Sequence, residues 1–385
     1  MNYLLRSPGK YDVILTESIH PIYAGNASLY SRDYFELCRK RLSENGLIAV
    51  WLPLWKLSAG DFRMVLKTFQ SVFPHSTVWY VTNCLNKQVH LIGTIKETSI
   101  NTQSWFKNVL AMKDDLKTVN LDDPYKLLDS FLMSEAEVRE YSRDAGINTE
   151  DLPLLEFSAP LSYNLDAETW KDNLLGLSKF KKNAYGFFAA KNPAFGPIDK
   201  ETLRKYSEAS AFIIKGILKH LDSDFDGSCL DFRKASLINP RDKTFSYLLA
   251  LSGRILAARN VSEGNDCLDG GLYEKALVCF NKALALDPAS SEALEGLGIV
   301  YMKKGAFLKA IDSFKKSASV KPGNFNPHYF LSMLHARAGN KKEALKELKT
   351  ALELNHRDRK PYAQLERVFE KNGLGEDARK LLSCF

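Results

Sequence analysis

The sequence has no long apolar run. Its longest uncharged apolar stretch, Gly46 to Trp55, is half the length that a bilayer span needs, so no membrane crossing is expected. No basic-then-apolar leader follows Met1, and nothing points to export. The six cysteines (Cys38, Cys84, Cys229, Cys267, Cys279 and Cys384) include no CxxC pair and sit mostly inside apolar helical patterns. They read as reduced core thiols of a cytoplasmic protein. The seven histidines show no HxxxH or cysteine-partnered spacing, so no metal site is expected. The 53 Lys and Arg exceed the 46 Asp and Glu by seven, but they form no cluster of the kind that tracks phosphates. Nucleic-acid binding is not expected. The pairs Lys315-Lys316 and Lys341-Lys342 read as solvated helix faces.

What is present is a globular composition, 45% hydrophobic and 26% charged over 385 residues, enough for two or three domains. The C-terminal half repeats. Ala310, Phe314, Ser317 and Pro322 stand 34 residues after Ala276, Phe280, Ala283 and Pro288, and 34 before Ala344, Leu348, Ala351 and His356. Leu294, Leu297, Gly298 and Tyr301 precede the central set at positions 4, 7, 8 and 11 of the 34-residue period. This is the tetratricopeptide pattern, and the chain resembles that family from about residue 209 onward. Small residues such as Gly298 and Ala310 permit close approach where two helices cross. Pro288 and Pro322 end the second helix of a unit by removing an amide donor.

Ser228, Phe232, Ala235 and Pro240 repeat the signature 48 residues before the next one, which is one period plus a 14-residue insertion. The Asn, Ser, Gly and Asp of Asn260 to Gly271 place that insertion in the turn between the two helices of the second unit. The expected units are about 209–242, 243–290 with the insertion, 291–324, 325–358 and a partial 359–385.

The N-terminal hundred residues alternate differently. Tyr11 to Leu15 and Gly46 to Trp51 are buried-strand runs, with a helix from Ser31 that stops at Asn45-Gly46 between them. Ser58 with Asp61 opens a second helix through Phe69. Thr77 to Val81 and Gln88 to Thr94 follow as a strand pair joined by a short turn. The order predicts an open, mostly parallel sheet with an antiparallel edge. Residues 99–205 read as mixed helix and loop. Their one distinctive run, Asn148 to Pro160, reads as a packed, capped loop.

The run Tyr11-Asp-Val-Ile-Leu-Thr-Glu-Ser-Ile-His-Pro21, with Ser28-Leu29-Tyr30 after it, resembles the spermidine/spermine synthase family, the aminopropyltransferases. The closer likeness, through Pro21 to Ser31 and again at Asn148 to Pro153, is to a bacterial subfamily in which a membrane segment precedes the synthase-like domain. The resemblance covers about residues 2–160. It implies a Rossmann-like, methyltransferase-type sheet over 1–98, a helical extension over 99–205, and an overall class of α/β followed by an all-α tetratricopeptide solenoid over 206–385. It implies transfer of an aminopropyl group from decarboxylated S-adenosylmethionine to a diamine, with a carboxylate taking the proton of the attacking amine.

By the same resemblance Glu17 corresponds to the general base, and His20, Tyr23 and Trp51 to substrate-binding positions. A strand-end cap for Glu17, loop packing for His20 and core packing for Trp51 and Trp55 are the competing readings. Asn2 to Leu5 looks like the helix after the family's third strand. The Gly-rich turn and ribose-binding acid of the nucleotide half are therefore expected to lie outside this chain, as in a fragment. No cofactor is expected here; S-adenosylmethionine or its decarboxylated form would bind only with that half supplied. Tyr11 to Leu15 then becomes an open sheet edge prone to self-association. Two functions follow. One is a scaffold that binds proteins or peptides in its tetratricopeptide groove, through helix residues such as Lys303, Asn326, Tyr329 and Arg337, beside an inactive synthase-like remnant. The other is part of an active polyamine aminopropyltransferase or S-adenosylmethionine-dependent transferase.

Overall fold

The β-branched and leucine-rich runs Tyr11–Thr16 (β1) and Leu42–Pro53 (β2) pair in parallel. The hairpin strands His75–Trp79 (β3) and Gln88–Thr94 (β4) follow, and a three-residue strand, Phe131–Met133 (β5), completes one sheet of order β1-β2-β4-β3-β5. The computed structural model describes every residue except Met1, Ser18, Asn83, 98–100, 192–197, 356–359 and Phe385; Ser18 of the synthase-like run and His356 of the repeat signature lie outside the described residues.

The helices in chain order are α1 (Asn2–Arg6), α2 (Arg32–Arg41), α3 (Ala59–Val72), α4 (Thr102–Ala111), α5 (Lys113–Lys117), α6 (Pro124–Asp129), α7 (Glu135–Tyr141), α8 (Leu154–Ser158), α9 (Asp166–Ser178) and α10 (Tyr185–Lys191). Five helix pairs follow: α11 (Lys200–Leu221) with α12 (Phe225–Ile238), α13 (Thr244–Asp269) with α14 (Tyr273–Leu286), and α15 (Ser291–Lys303) with α16 (Phe307–Val320). The last two are α17 (Phe325–Arg337) with α18 (Lys341–Leu354), and α19 (Lys360–Lys371) with α20 (Gly375–Leu382). The chain forms two compact units, Met1–Leu249 and Ala250–Phe385. Among the described residues no helix is long and apolar enough to cross a membrane.

The sheet is mixed rather than mostly parallel. Only β1 and β2 pair in parallel, and the antiparallel strand β4 lies inside, between β2 and β3. A short hairpin turn forces β4 to return beside its predecessor, where it also meets β2. The expected edge position is taken by β5, a strand too short to leave a periodic trace. The helix from Ser31 stops at Arg41, earlier than Asn45-Gly46, and the chain passes directly into β2. Gly46 serves the strand instead: a Cβ there would stand 2.9 Å from the carbonyl oxygen of Tyr11. Only glycine lets β1 come that close.

On one face of the sheet Ile14, Ile48, Val50, Leu52, Val78 and Leu91 are buried together with Phe62, Val65, Leu66 and Phe69 of α3. Ser58 caps α3 by accepting from the Asp61 amide at 3.1 Å, and its hydroxyl donates to the Asp61 carboxylate at 2.7 Å. At the other end of the order β1 is an edge strand, and Val13 and Leu15 are each 59% exposed.

The first helix pair shares this core. Ala209, Ile213, Ile214, Ile217, Phe232 and Ala235 belong to the same cluster as the sheet residues. Two buried ion pairs, Lys126–Asp242 at 2.8 Å and Lys181–Asp129 at 2.7 Å, fasten the unit further. Burial pushes the Asp129 carboxyl above its usual range, and the Lys181 ammonium beside it opposes that shift.

In the second unit the period is set by two glycine columns. Gly271, Gly305, Gly339 and Gly373, each 34 residues from the next, turn the first helix of a pair into the second at φ between 71° and 75°. That left-handed conformation costs a side chain strain. Ser223, 48 residues before Gly271, holds the same place in the first pair at φ 60°. The second column lies 16 residues before a phenylalanine: Gly216 before Phe232, Gly264 before Phe280, Gly298 before Phe314. A Cβ on Gly264 or Gly298 would stand 2.7 or 2.6 Å from the ring of its phenylalanine.

This register moves the insertion. Residues 257–290 form an uninterrupted 34-residue unit, and 14 extra residues, 243–256, precede it. They lengthen α13 to 26 residues instead of opening a loop, and Asn260–Asp269 is helical. The prolines fall where the repeat puts them: α12, α14 and α16 end two residues before Pro240, Pro288 and Pro322. Ala276, Phe280, Ala283, Ala310, Phe314, Ala344 and Ala351 are fully buried, Leu294 nearly so and Tyr301 half-buried.

One polar network ties neighbouring pairs. The Glu295 carboxylate accepts from Ser317 Oγ and Asn326 Nδ2, both at 3.3 Å, and from Asn324 Nδ2. Burial holds its pKa above the usual carboxylate range, against these hydrogen bonds. A group whose pKa is higher folded than unfolded stabilises below its unfolded pKa, and that contribution is lost as pH rises through the folded value. Glu295→Gln is therefore expected to melt a few degrees above the parent at pH 7, with the gap closing near pH 4, as thermal melts at the two pH values will register.

Candidate functional site

The carboxyl ends of β1 and β2 hold the residues singled out by the synthase-like run. His20 follows β1 and is 4% exposed. Its ring lies 6.3 Å from that of Trp51 at the end of β2, 4.8 Å from Trp55 and 6.5 Å from Tyr23, each edge-on. His20, Tyr23 and Trp51 are thus brought together, with Trp55 as a fourth ring. Tyr23 is the exposed member, and Trp51 donates its indole N–H to Gln88 Oε1 at 2.6 Å.

Both nitrogens of His20 are occupied by backbone. The Ile22 amide donates to Nδ1 at 3.2 Å, which leaves the proton on Nε2, 2.9 Å from the Trp55 carbonyl oxygen. Burial holds the imidazole pKa below the usual histidine range, and Lys56 adds to this against Asp166. A neutral ring with both nitrogens engaged packs the loop; it has no atom left for acid–base work at pH 7.

Glu17 is not part of this cluster. It is exposed and makes no hydrogen bond or ion pair among the described residues; its charge is felt by His90 on β4, where it opposes the lowering of that imidazole's pKa by burial. Sequence reasoning paired Glu17 with His20, but their environments are separate.

The charges around the aromatic cluster come from places the sequence motif does not reach. Lys56, held at φ 51°, lies 5.3 Å from the Trp55 ring centre and 4.5 Å from that of Tyr163. Lys87 lies 5.9 Å from Trp55 and 4.9 Å from Trp170, and pairs with Asp166 at 3.0 Å. Two ammonium groups and one carboxylate therefore rim the rings. The segment Asn148 to Pro160 is clamped nearby: Asn148 donates Nδ2 to the carbonyls of Ala27 and Tyr30 at 3.2 and 3.3 Å and accepts from the Leu155 amide at 3.1 Å. Glu156 accepts from the Gly25 amide at 2.7 Å. Among the described residues no group of three His, Cys, Asp or Glu is arranged to hold a metal ion.

In the second unit, Tyr329 is buried against Tyr362 and Phe330 and is not a groove residue, and Asn326 is engaged with Glu295. Lys303 and Arg337 are exposed, each the last residue of its helix.

The first hundred residues match the spermine/spermidine synthase domain, over 1–103, and the repeats match the TPR repeat model over 264–305. The chain thus carries a synthase-type domain at its N-terminus and tetratricopeptide repeats after it. Among curated proteins it is similar to DnaJ homolog subfamily C member 3 of Mus musculus, 25% identical over 192 residues, covering 49% of this chain and 38% of that protein. It is also similar to Superkiller protein 3 of Schizosaccharomyces pombe, 27% identical over 86 residues, 22% of this chain and 6% of that one. The chain therefore spans well under half the length of either relative. Among solved structures it is similar to MamA (21% identity, TM-score 0.29, 44% of this chain and 90% of that one) and to YrrB, described as a TPR protein with an unusual peptide-binding site (17% identity, TM-score 0.28, 46% and 83%).

Proposed function

We propose that this chain is a protein-interaction scaffold whose tetratricopeptide array binds proteins or peptides, and whose synthase-like domain does not itself transfer aminopropyl groups. The observation that carries the second half is the pair of ammonium groups at the aromatic cluster. A diamine acceptor and a sulfonium donor are both cations, and a site for them needs carboxylates in excess. Lys56 and Lys87 put the excess on the wrong sign, and Asp166 is already paired with Lys87. The residues present do not fit S-adenosylmethionine, its decarboxylated form or a polyamine.

The interaction half rests on the solenoid itself, since stacked helix pairs present their first helices along one continuous surface. Lys303 and Arg337, 34 residues apart, recur there. A cation is favoured at a helix C-terminus by the helix dipole, and its exposed charge stays free for an acidic partner. Panning the full chain against a random peptide library should enrich acidic peptides, and Lys303→Glu with Arg337→Glu should weaken them at least about tenfold. Equal binding by this variant would place the peptides elsewhere.

The open edge of β1, with Val13 and Leu15 exposed, supports self-association by strand pairing. The free thiols support a reducing compartment, the cytoplasm. A second reading, participation in an active transferase with a nucleotide site supplied from outside the described residues, is favoured by one observation: Glu17 is an unpaired, accessible carboxylate at a strand end.

A further inference from the structure

The face of the sheet away from α3 is not filled by side chains. A cavity of about 490 Å³ lies there, within the range of sites for small organic ligands. Its floor is Leu47, Thr77, Trp79 and Ile92 on three strands, and its walls include Trp105 of α4 and Phe188 of α10. This places it on the sheet face, apart from the aromatic cluster around His20.

Two polar groups in the lining have no protein partner among the described residues. Trp105 Nε1 is sealed from solvent and donates to nothing, whereas the neighbouring Trp79 Nε1 is satisfied by Thr77 Oγ1 at 2.9 Å. A buried donor left unpaired is costly, so the Trp105 N–H is a place where a ligand acceptor gains a full hydrogen bond. His90 on β4 also lines the cavity and makes no hydrogen bond in the described protein. Its imidazole, which burial holds neutral, has one nitrogen to accept and one to donate. The remaining charges of the lining, His75 and Glu135, face each other at 3.2 Å. The cavity therefore offers aromatic walls, one indole donor, one neutral imidazole and no net charge for an ion.

We propose that this cavity binds a small uncharged aromatic alcohol, its ring against Trp79, Trp105 and Phe188, its hydroxyl oxygen accepting from Trp105 and its hydroxyl proton donated to His90. The class follows from the lining. An aliphatic chain would leave both polar groups unpaired, and a carboxylate or ammonium would be buried without a counter-charge.

The probe is 2-naphthol, titrated into the full chain by calorimetry, with naphthalene as the hydroxyl-free comparison by equilibrium dialysis. Saturable binding of one 2-naphthol per chain is expected, tighter than naphthalene. Trp105→Phe keeps an aromatic wall but removes the donor, and should weaken 2-naphthol about fivefold to tenfold while leaving naphthalene unchanged. Ile92→Trp fills the floor and should abolish both. If that variant fails to fold, the Trp105→Phe comparison decides. No saturable 2-naphthol binding by the parent, or equal affinity of parent and Trp105→Phe, would overturn the proposal.

Discussion

Replacing Lys126 with methionine is expected to destabilise the Met1–Leu249 unit by about 3–5 kcal/mol, the usual cost of orphaning one half of a buried ion pair. The Lys126 and Asp242 side chains are 6% and 5% exposed, with 2.8 Å between Nζ and Oδ1. The ammonium also donates to Thr244 Oγ1. Without it, the Asp242 carboxylate keeps only the Thr244 amide, at 2.9 Å, and stays buried near Asp129, whose pKa its charge already pushes upward. Both carboxylates are then short of positive charge. Lys126→Met with Asp242→Leu should recover most of the loss, because two apolar side chains replace the pair without an uncompensated ion. Urea melts of the parent, the single and the double variant measure this. A single-variant loss below about 1 kcal/mol would mean that water reaches the pair as it reaches a surface one.

The second large effect is expected at Gly264. Valine there would press a methyl-bearing Cβ into the Phe280 ring, 2.7 Å away, and overpack the crossing of α13 and α14 by about 1–3 kcal/mol. Gly298→Val should cost a similar amount against Phe314, because the two glycines stand in the same place one period apart. Gly264→Val combined with Phe280→Leu should be less than additive, since the clash needs the ring. The position discriminates between two registers. If Asn260 to Gly271 were an inserted turn, Gly264 would be solvent-exposed and valine would be tolerated. Thermal melts of the two glycine variants, compared directly, decide it.

The repeats were legible because each unit can bury its apolar face only against a neighbour, so Phe280 and Phe314 recur at the helical period. The glycine columns are equally periodic, but composition alone treats glycine as a breaker. Between Asn260 and Gly271 that hides a helix in which Gly264 is needed for close packing and Gly271 for a left-handed turn. In the sheet, strand existence followed from pattern while pairing did not. β5 is three residues long, and it reaches β3 from more than fifty residues away in sequence. The candidate site divides in the same way. His20, Tyr23 and Trp51 share a local motif and come together. Lys56 and Lys87 gain their meaning from Tyr163, Asp166 and Trp170, which a motif confined to the first hundred residues does not include. The reversal of charge at that end of the sheet is a tertiary fact.

The account stands most directly on whether the synthase-like domain is inert. The measurement is a calorimetric titration of the full chain with decarboxylated S-adenosylmethionine, with and without putrescine, followed by assay of the mixture for spermidine. Lys56 and Lys87 beside the rings, and a His20 ring with both nitrogens engaged, predict no saturable heat and no spermidine. Micromolar binding of the donor together with spermidine that disappears in Glu17→Gln would contradict the account and make Glu17 a catalytic residue.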